Sequence, residues 1–104
     1  VDQHKVSDSR YRTVLCVSPE HPCLPGHFPG QPLVPGVVLL EYVAKALRAW
    51  RDQRLVRVLE AKFMAPLHPG ERAELILDEN AGRIRFEILS DGQVLSRGLI
   101  EGVV

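Results

Sequence analysis

Apolar residues along the chain first alternate, then recur at helical spacing, then alternate again to the end. Tyr11 to Val17 alternates and carries Tyr and Val, which predicts a strand. From Pro35 to Arg51 the period lengthens. Val37, Val38, Leu39 and Leu40 make the first turn apolar on all sides, after which Val43, Ala44, Leu47 and Trp50 keep one side apolar. Glu41, Lys45, Arg48 and Asp52 fall on the other side. This pattern predicts a helix that enters the core N-terminus first and surfaces towards its end, with Glu41 where the polar stripe begins. Leu55 to Phe63, Ala73 to Leu77, Arg83 to Leu89 and Val94 to Ile100 read as further strands. In the stretch from Arg83, the residues Arg83, Arg85 and Glu87 alternate with Ile84, Phe86 and Ile88, so one face is wet and the other dry. The turn Pro66-Leu67-His68-Pro69-Gly70, the segment Glu79-Asn80-Ala81-Gly82 and the hairpin signal Asp91-Gly92 separate these strands. The expected fold class is α+β, with residues 1–104 forming one domain in which the helix packs on the dry face of an antiparallel sheet of about five strands.

Between the first strand and the helix stand six of the eight prolines, Pro19, Pro22, Pro25, Pro29, Pro32 and Pro35. Such a segment is neither a helix nor an inner strand. It could serve as an extended proline-rich ligand, but it carries Leu24, Phe28, Leu33 and Val34 and feeds directly into the helix, which favours a stiff packed loop. Pro35 is suited to the first helical position. Val34 before it has no side-chain oxygen to cap the helix, so the amides of Gly36, Val37 and Val38 lack an obvious side-chain partner. Gly36 also lets another molecule approach the backbone. An uncapped helix start of this kind is suited to hold a carbonyl oxygen or a developing oxyanion; the alternative is an end capped by water or by a distant part of the fold.

Composition narrows the classes. Thirteen basic residues balance 13 acidic ones, which argues against a general nucleic-acid or anionic-membrane binder. The longest apolar run, Val37 to Leu40, is far too short to span a bilayer, and the polar start shows no signal peptide. The missing initiator Met points to a trimmed start. Cys16 and Cys23 form no CxxC pair, and a reducing cytoplasm is the expected location. His21, Cys23 and His27 lack a fourth partner for a metal, so none is expected.

The residues His27-Phe28-Pro29-Gly30, then Pro32, Pro35-Gly36 and Glu41, resemble the signature of the 3-hydroxyacyl-[acyl-carrier-protein] dehydratases, which have the hotdog fold. The spacing of 14 from histidine to carboxylate matches. Phe63, Pro66 and Pro69-Gly70 likewise resemble the family's F-x-x-P-x-x-P-G turn. The resemblance implies a long central helix wrapped by the sheet, a homodimer with active sites shared between subunits, and no metal or redox cofactor. It implies that His27 of one subunit works opposite Glu41 of the other, that Gly36 and Val37 bind the thioester, and that Phe28, Pro35 and Phe63 line the substrate tunnel. The reaction would remove water from a 3-hydroxyacyl group on acyl carrier protein, in fatty acid or related lipid or polyene biosynthesis.

Elementary chemistry supplies reasons for these roles. Dehydration needs a base for the C2 proton, a proton for the departing C3 hydroxyl, and stabilisation of enolate-like charge on the thioester oxygen. A histidine titrates near neutral pH and suits the first. A carboxyl in a largely apolar tunnel can stay protonated or orient a water, which suits the second. The uncapped helix start suits the third.

Two features depart from the family. Lys45 stands where the dehydratases usually carry Gln, four residues after the acid, and Glu41 could instead pair with it on a solvated face. The dehydratases also usually carry more residues before the first strand. Arg48, Arg51, Arg54 and Arg57 form a local basic run, and Arg48, Arg51 and Arg54 are candidates to dock an acidic carrier protein, or else complement the helix dipole and solvent. The rival functions are a hotdog thioesterase, against which the His27 to Glu41 spacing argues, and a non-catalytic acyl-binding subunit, against which His27 argues.

Overall fold

The computed structural model describes residues 9–18, 20 and 33–104. In chain order they form β1 (Arg10–Cys16), α1 (Gly36–Arg51), β2 (Arg54–Phe63), β3 (Arg72–Asn80), β4 (Arg83–Ser90) and β5 (Gln93–Val103). The strands make one sheet in the order β1-β3-β4-β5-β2, and every neighbouring pair is antiparallel.

The tight connections follow from turn chemistry. Ala81 and Gly82 have φ of 54° and 80°, and Asp91 and Gly92 have φ of 51° and 77°. Positive φ at both central residues is what a two-residue hairpin of type I′ requires. Asp52 (φ 53°) ends α1 in the left-handed conformation, its amide donating to the Arg48 carbonyl.

Helix and sheet meet over one core. Val38, Leu39, Val43, Ala46 and Leu47 are buried against the dry face, to which Leu75, Leu77, Ile84, Phe86, Ile88 and Ile100 contribute. The expectation that the helix buries its first turn all round and then surfaces is corrected here. Burial instead follows one stripe along the helix: Leu47 is fully buried, whereas Val37 is 64% exposed because it sits off the sheet-facing stripe. Trp50 remains anchored near the helix end, stacked on Tyr11 of β1 at 6.2 Å between ring centroids.

The glycines of β5 set how closely β2 approaches. A Cβ on Gly98 would lie 2.1 Å from the Glu60 carbonyl oxygen and 2.6 Å from the Phe86 ring. Only hydrogen fits there. β2 itself is an edge strand, irregular in register between Leu55 and Arg57 and between Val58 and Glu60. Val56, Val58, Leu59, Phe63 and Met64 along and just beyond it are exposed.

Candidate active site

The site is built where the end of β2 meets the start of α1. Pro35 precedes the helix with φ −63° and ψ 149°, so it takes the N-cap position and Gly36 is the first helical residue, one later than expected. Proline cannot cap through a side chain, and no side-chain cap is present. The Val38 amide is satisfied by backbone, donating to the Pro35 carbonyl at 3.0 Å. The Gly36 and Val37 amides find no acceptor among the described residues. Two N–H groups at the positive end of a 16-residue helix are thus without an acceptor among the described residues.

Phe63 lies beside them. It pairs in register with Ser96 on the helix-facing side of the sheet. A Cβ added to Gly36 would meet Phe63 Cζ at 2.8 Å. Glycine therefore does two things at once, admitting the ring and leaving the amide approachable. Pro35, Gly36, Leu39, Phe63, Met64 and Leu67 border a cleft of about 300 Å³. Its wall is largely apolar.

The turn after β2 fixes this cleft. The Val34 amide donates to the Leu67 carbonyl (2.9 Å), and the Met64 and Ala65 amides donate to the Leu95 carbonyl (2.8 and 3.1 Å). The Gly70 amide donates to the Val17 carbonyl (2.8 Å), joining the same turn to the end of β1. Glu71 locks the turn from outside: its carboxylate accepts from the Ser90 hydroxyl (2.6 Å) and from the His68 amide (3.1 Å). These bonds hold the Glu71 carboxyl below its ordinary pKa, with the Ser90 hydroxyl the largest cause. This lock has no local signature, because Ser90 stands 19 residues from Glu71.

Glu41 is exposed on the helix side turned away from the sheet. It shares a stripe with Val37, Lys45 and Arg48, at spacings of four and seven residues. The Lys45 ammonium lies over the Tyr42 ring, 5.2 Å from its centroid. The three candidate docking arginines separate. Arg48 and Arg54 border one groove, whereas Arg51 pairs with Glu79 of β3 at 2.5 Å and stacks on Trp50. His27 and Phe28, and with them His21 and Cys23, lie outside the described residues. The structure thus brings Gly36, Val37, Pro35 and Phe63 together, with Glu41 little more than one helical turn from Gly36. Among the described residues no cluster of three or more His, Cys, Asp or Glu is placed to hold a metal, and no helix is long and apolar enough to cross a membrane.

Comparison with known proteins bears on the family and the fold. Among curated proteins, the 3-hydroxyacyl-[acyl-carrier-protein] dehydratase of Mannheimia succiniciproducens is 36% identical, the match covering 75% of this chain and 62% of the relative. That of Pasteurella multocida is 34% identical over 81% of this chain and 65% of the relative. The chain therefore spans less than two thirds of the length of these curated relatives. Among solved structures, one described as the dehydratase heterocomplex ApeI:P from Xenorhabdus doucetiae superposes with a TM-score of 0.81 at 25% identity, covering 94% of this chain and 90% of the other. An uncharacterised protein from Erwinia carotovora subsp. atroseptica superposes with a TM-score of 0.78 at 28% identity, covering 98% and 90%. Among the described residues, the one helix and five-stranded antiparallel sheet are the hotdog fold that the motif resemblance implies. A family model described as ApeI-like, ApeI dehydratase, matches residues 3–99, and the chain belongs to this dehydratase family.

Proposed function

We propose that the protein is a dehydratase that removes water from 3-hydroxyacyl groups carried as thioesters on acyl carrier protein, giving trans-2-enoyl thioesters. The observation that carries the reading is the open helix start. The amides of Gly36 and Val37 face no acceptor among the described residues, behind an apolar cleft shaped by Phe63. The thioester oxygen accepts from these amides, which stabilises it most when charge develops there. His27 takes the proton from C2. The C2–C3 double bond forms as the C3–O bond breaks, and the hydroxyl leaves as water after receiving a proton delivered through Glu41.

The chain works as a homodimer. The long apolar edge of β2 and the exposed Val37 beside Glu41 support a second copy docking there, which would bring its own His27 loop to this Glu41. A dimer of 11.6 kDa chains in light scattering is the expected result, and a monomer at working concentration would remove the shared site. The reaction needs no metal or redox cofactor, since proton transfer and charge stabilisation suffice. The cytoplasm is its place.

The experiment incubates the protein with a 3-hydroxyacyl carrier protein and follows the acyl group by mass, alongside His27→Ala and Glu41→Gln. Loss of one water with the native chain and retention of the substrate in both variants is expected. Release of free acid would make the protein a thioesterase.

A further inference from the structure

One polar side chain in the core makes no bond that the fold needs. Ser96 of β5 is 1% exposed, and its Oγ has no hydrogen-bond partner among the described residues. Paired positions across the helix-facing side of the sheet read Thr13, Leu75, Ile88, Ser96 and Phe63 from β1 to β2. Ile88 beside it is fully buried, so packing at this depth requires no hydroxyl, and an unpaired buried one is destabilising. The strand is bent to place it there. The register between β4 and β5 shifts next to Ile88, which leaves Leu95 as the extra residue and buries Leu95 and Ser96 in succession. A bulge of this kind re-aims a side chain, and bulges gather beside functional sites. Phe63 is what separates the hydroxyl from the helix start. Its stem stands opposite Ser96, where the Cβ atoms of paired residues lie about 5 Å apart, and its Cζ lies 2.8 Å from a Cβ built on Gly36. The ring is half exposed at the cleft, so it can turn out of its place.

We propose that Ser96 selects the acyl chain: its hydroxyl donates to an oxygen carried at C5 or C7 of a chain that enters in place of the Phe63 ring. The inference rests on the dehydratase reading and adds which acyl groups the site favours. Reach supports it. The hydroxyl and the Gly36 amide stand at opposite ends of one phenylalanine side chain, no more than about 12 Å apart. An extended chain advances about 1.25 Å per bond, so a thioester oxygen held at Gly36 brings about the first eight carbons within range. Chains lengthened two carbons at a time keep any oxygen left from an earlier round on odd-numbered carbons, which places it at C5 or C7. A plain hydrocarbon tail gives the hydroxyl nothing to bond, and the apolar wall of Leu39, Phe63 and Leu67 holds such a tail equally well without it. A hydroxyl that is unpaired in the free protein and paired in the complex discriminates between the two.

The test uses three 3-hydroxyoctanoyl thioesters on carrier protein, one unsubstituted, one 5-methoxy and one 7-oxo. The native chain turns over at least one oxygenated substrate with a higher kcat/KM than the plain one. Ser96→Ala lowers that ratio about threefold to tenfold, the worth of one neutral hydrogen bond. The same variant melts about 4 °C or more higher by circular dichroism, because it loses an unpaired buried hydroxyl. A hydroxyl that serves only the fold, bonded to an ordered water, gives the opposite result: Tm falls and the ratio holds. A ratio that falls less than about threefold for both oxygenated chains, or a Tm that does not rise, overturns the proposal. If the native chain dehydrates none of the three, the dehydratase reading fails by itself. Ser96 is then decided by the Kd values of the three acyl carriers for native chain and variant, under the same threefold criterion.

Discussion

Replacing Gly36 by proline removes a single N–H from the proposed oxyanion site while leaving the helix able to form. Proline is accepted at the first helical position, and the residue before a proline must be extended, which Pro35 at φ −63° and ψ 149° already is. No bond to a described residue is lost, because the Gly36 amide has no acceptor among them. The complication is steric. Any Cβ at this position meets Phe63 Cζ at 2.8 Å, but that ring is half exposed at the end of β2 and can swing at a cost of about 1 kcal/mol. Gly36→Ala carries the same Cβ and keeps the N–H, so the difference between the two variants isolates the donor. Removal of one oxyanion donor costs about 2.7–4 kcal/mol, or roughly 10²–10³ in kcat. Gly36→Pro should therefore turn over a 3-hydroxyacyl thioester about 10²-fold or more slowly than Gly36→Ala. Their melting temperatures by circular dichroism should lie within a few degrees of each other, about 1 kcal/mol in stability. Rates within threefold at matched stability would refute the role given to this amide.

Three further outcomes concern the scaffold. Gly98→Ala should destabilise by about 2–3 kcal/mol, lowering Tm by about 10–20 °C, because its Cβ would strike the backbone carbonyl of Glu60 rather than a movable side chain; a melt unchanged within a degree or two contradicts the packing. Ala81→Gly should gain about 1 kcal/mol in denaturant unfolding by relieving φ 54° at the β3–β4 turn, and a loss would show that the turn is not strained. Ser90→Ala should cost about 1 kcal/mol at neutral pH. Since the folded Glu71 carboxyl titrates below its ordinary value, this bond stabilises above the unfolded pKa and is lost as pH falls through the folded one. The gap between native and variant melts should accordingly close in acid, and a gap that widens there would reverse the sign.

Strand and helix positions were legible because each has a strong local period. Ile84, Phe86 and Ile88 alternate with charges and are buried, and Leu39, Val43 and Leu47 recur at helical spacing and are buried. Strand order was not legible, since placing β2 beside β5 and β1 beside β3 depends on pairings between residues far apart in the chain. In the site, Gly36 could be singled out from the proline and the missing cap. That Phe63 rests on it could not, because the contact joins residues 27 positions apart. The arginine run illustrates the limit of composition. Arg48, Arg51 and Arg54 look alike in sequence, and only tertiary neighbours assign Arg51 to Glu79 and the others to a groove.

The central claim, addition and removal of water across C2 and C3 of a carrier-borne acyl chain, is tested most directly by running the reaction backwards in heavy-oxygen water. With a trans-2-enoyl carrier protein as substrate, the native chain should place the label in a C3 hydroxyl while the thioester stays intact, and His27→Ala should not. Label in a released carboxylate, or none in the acyl group, would contradict the account.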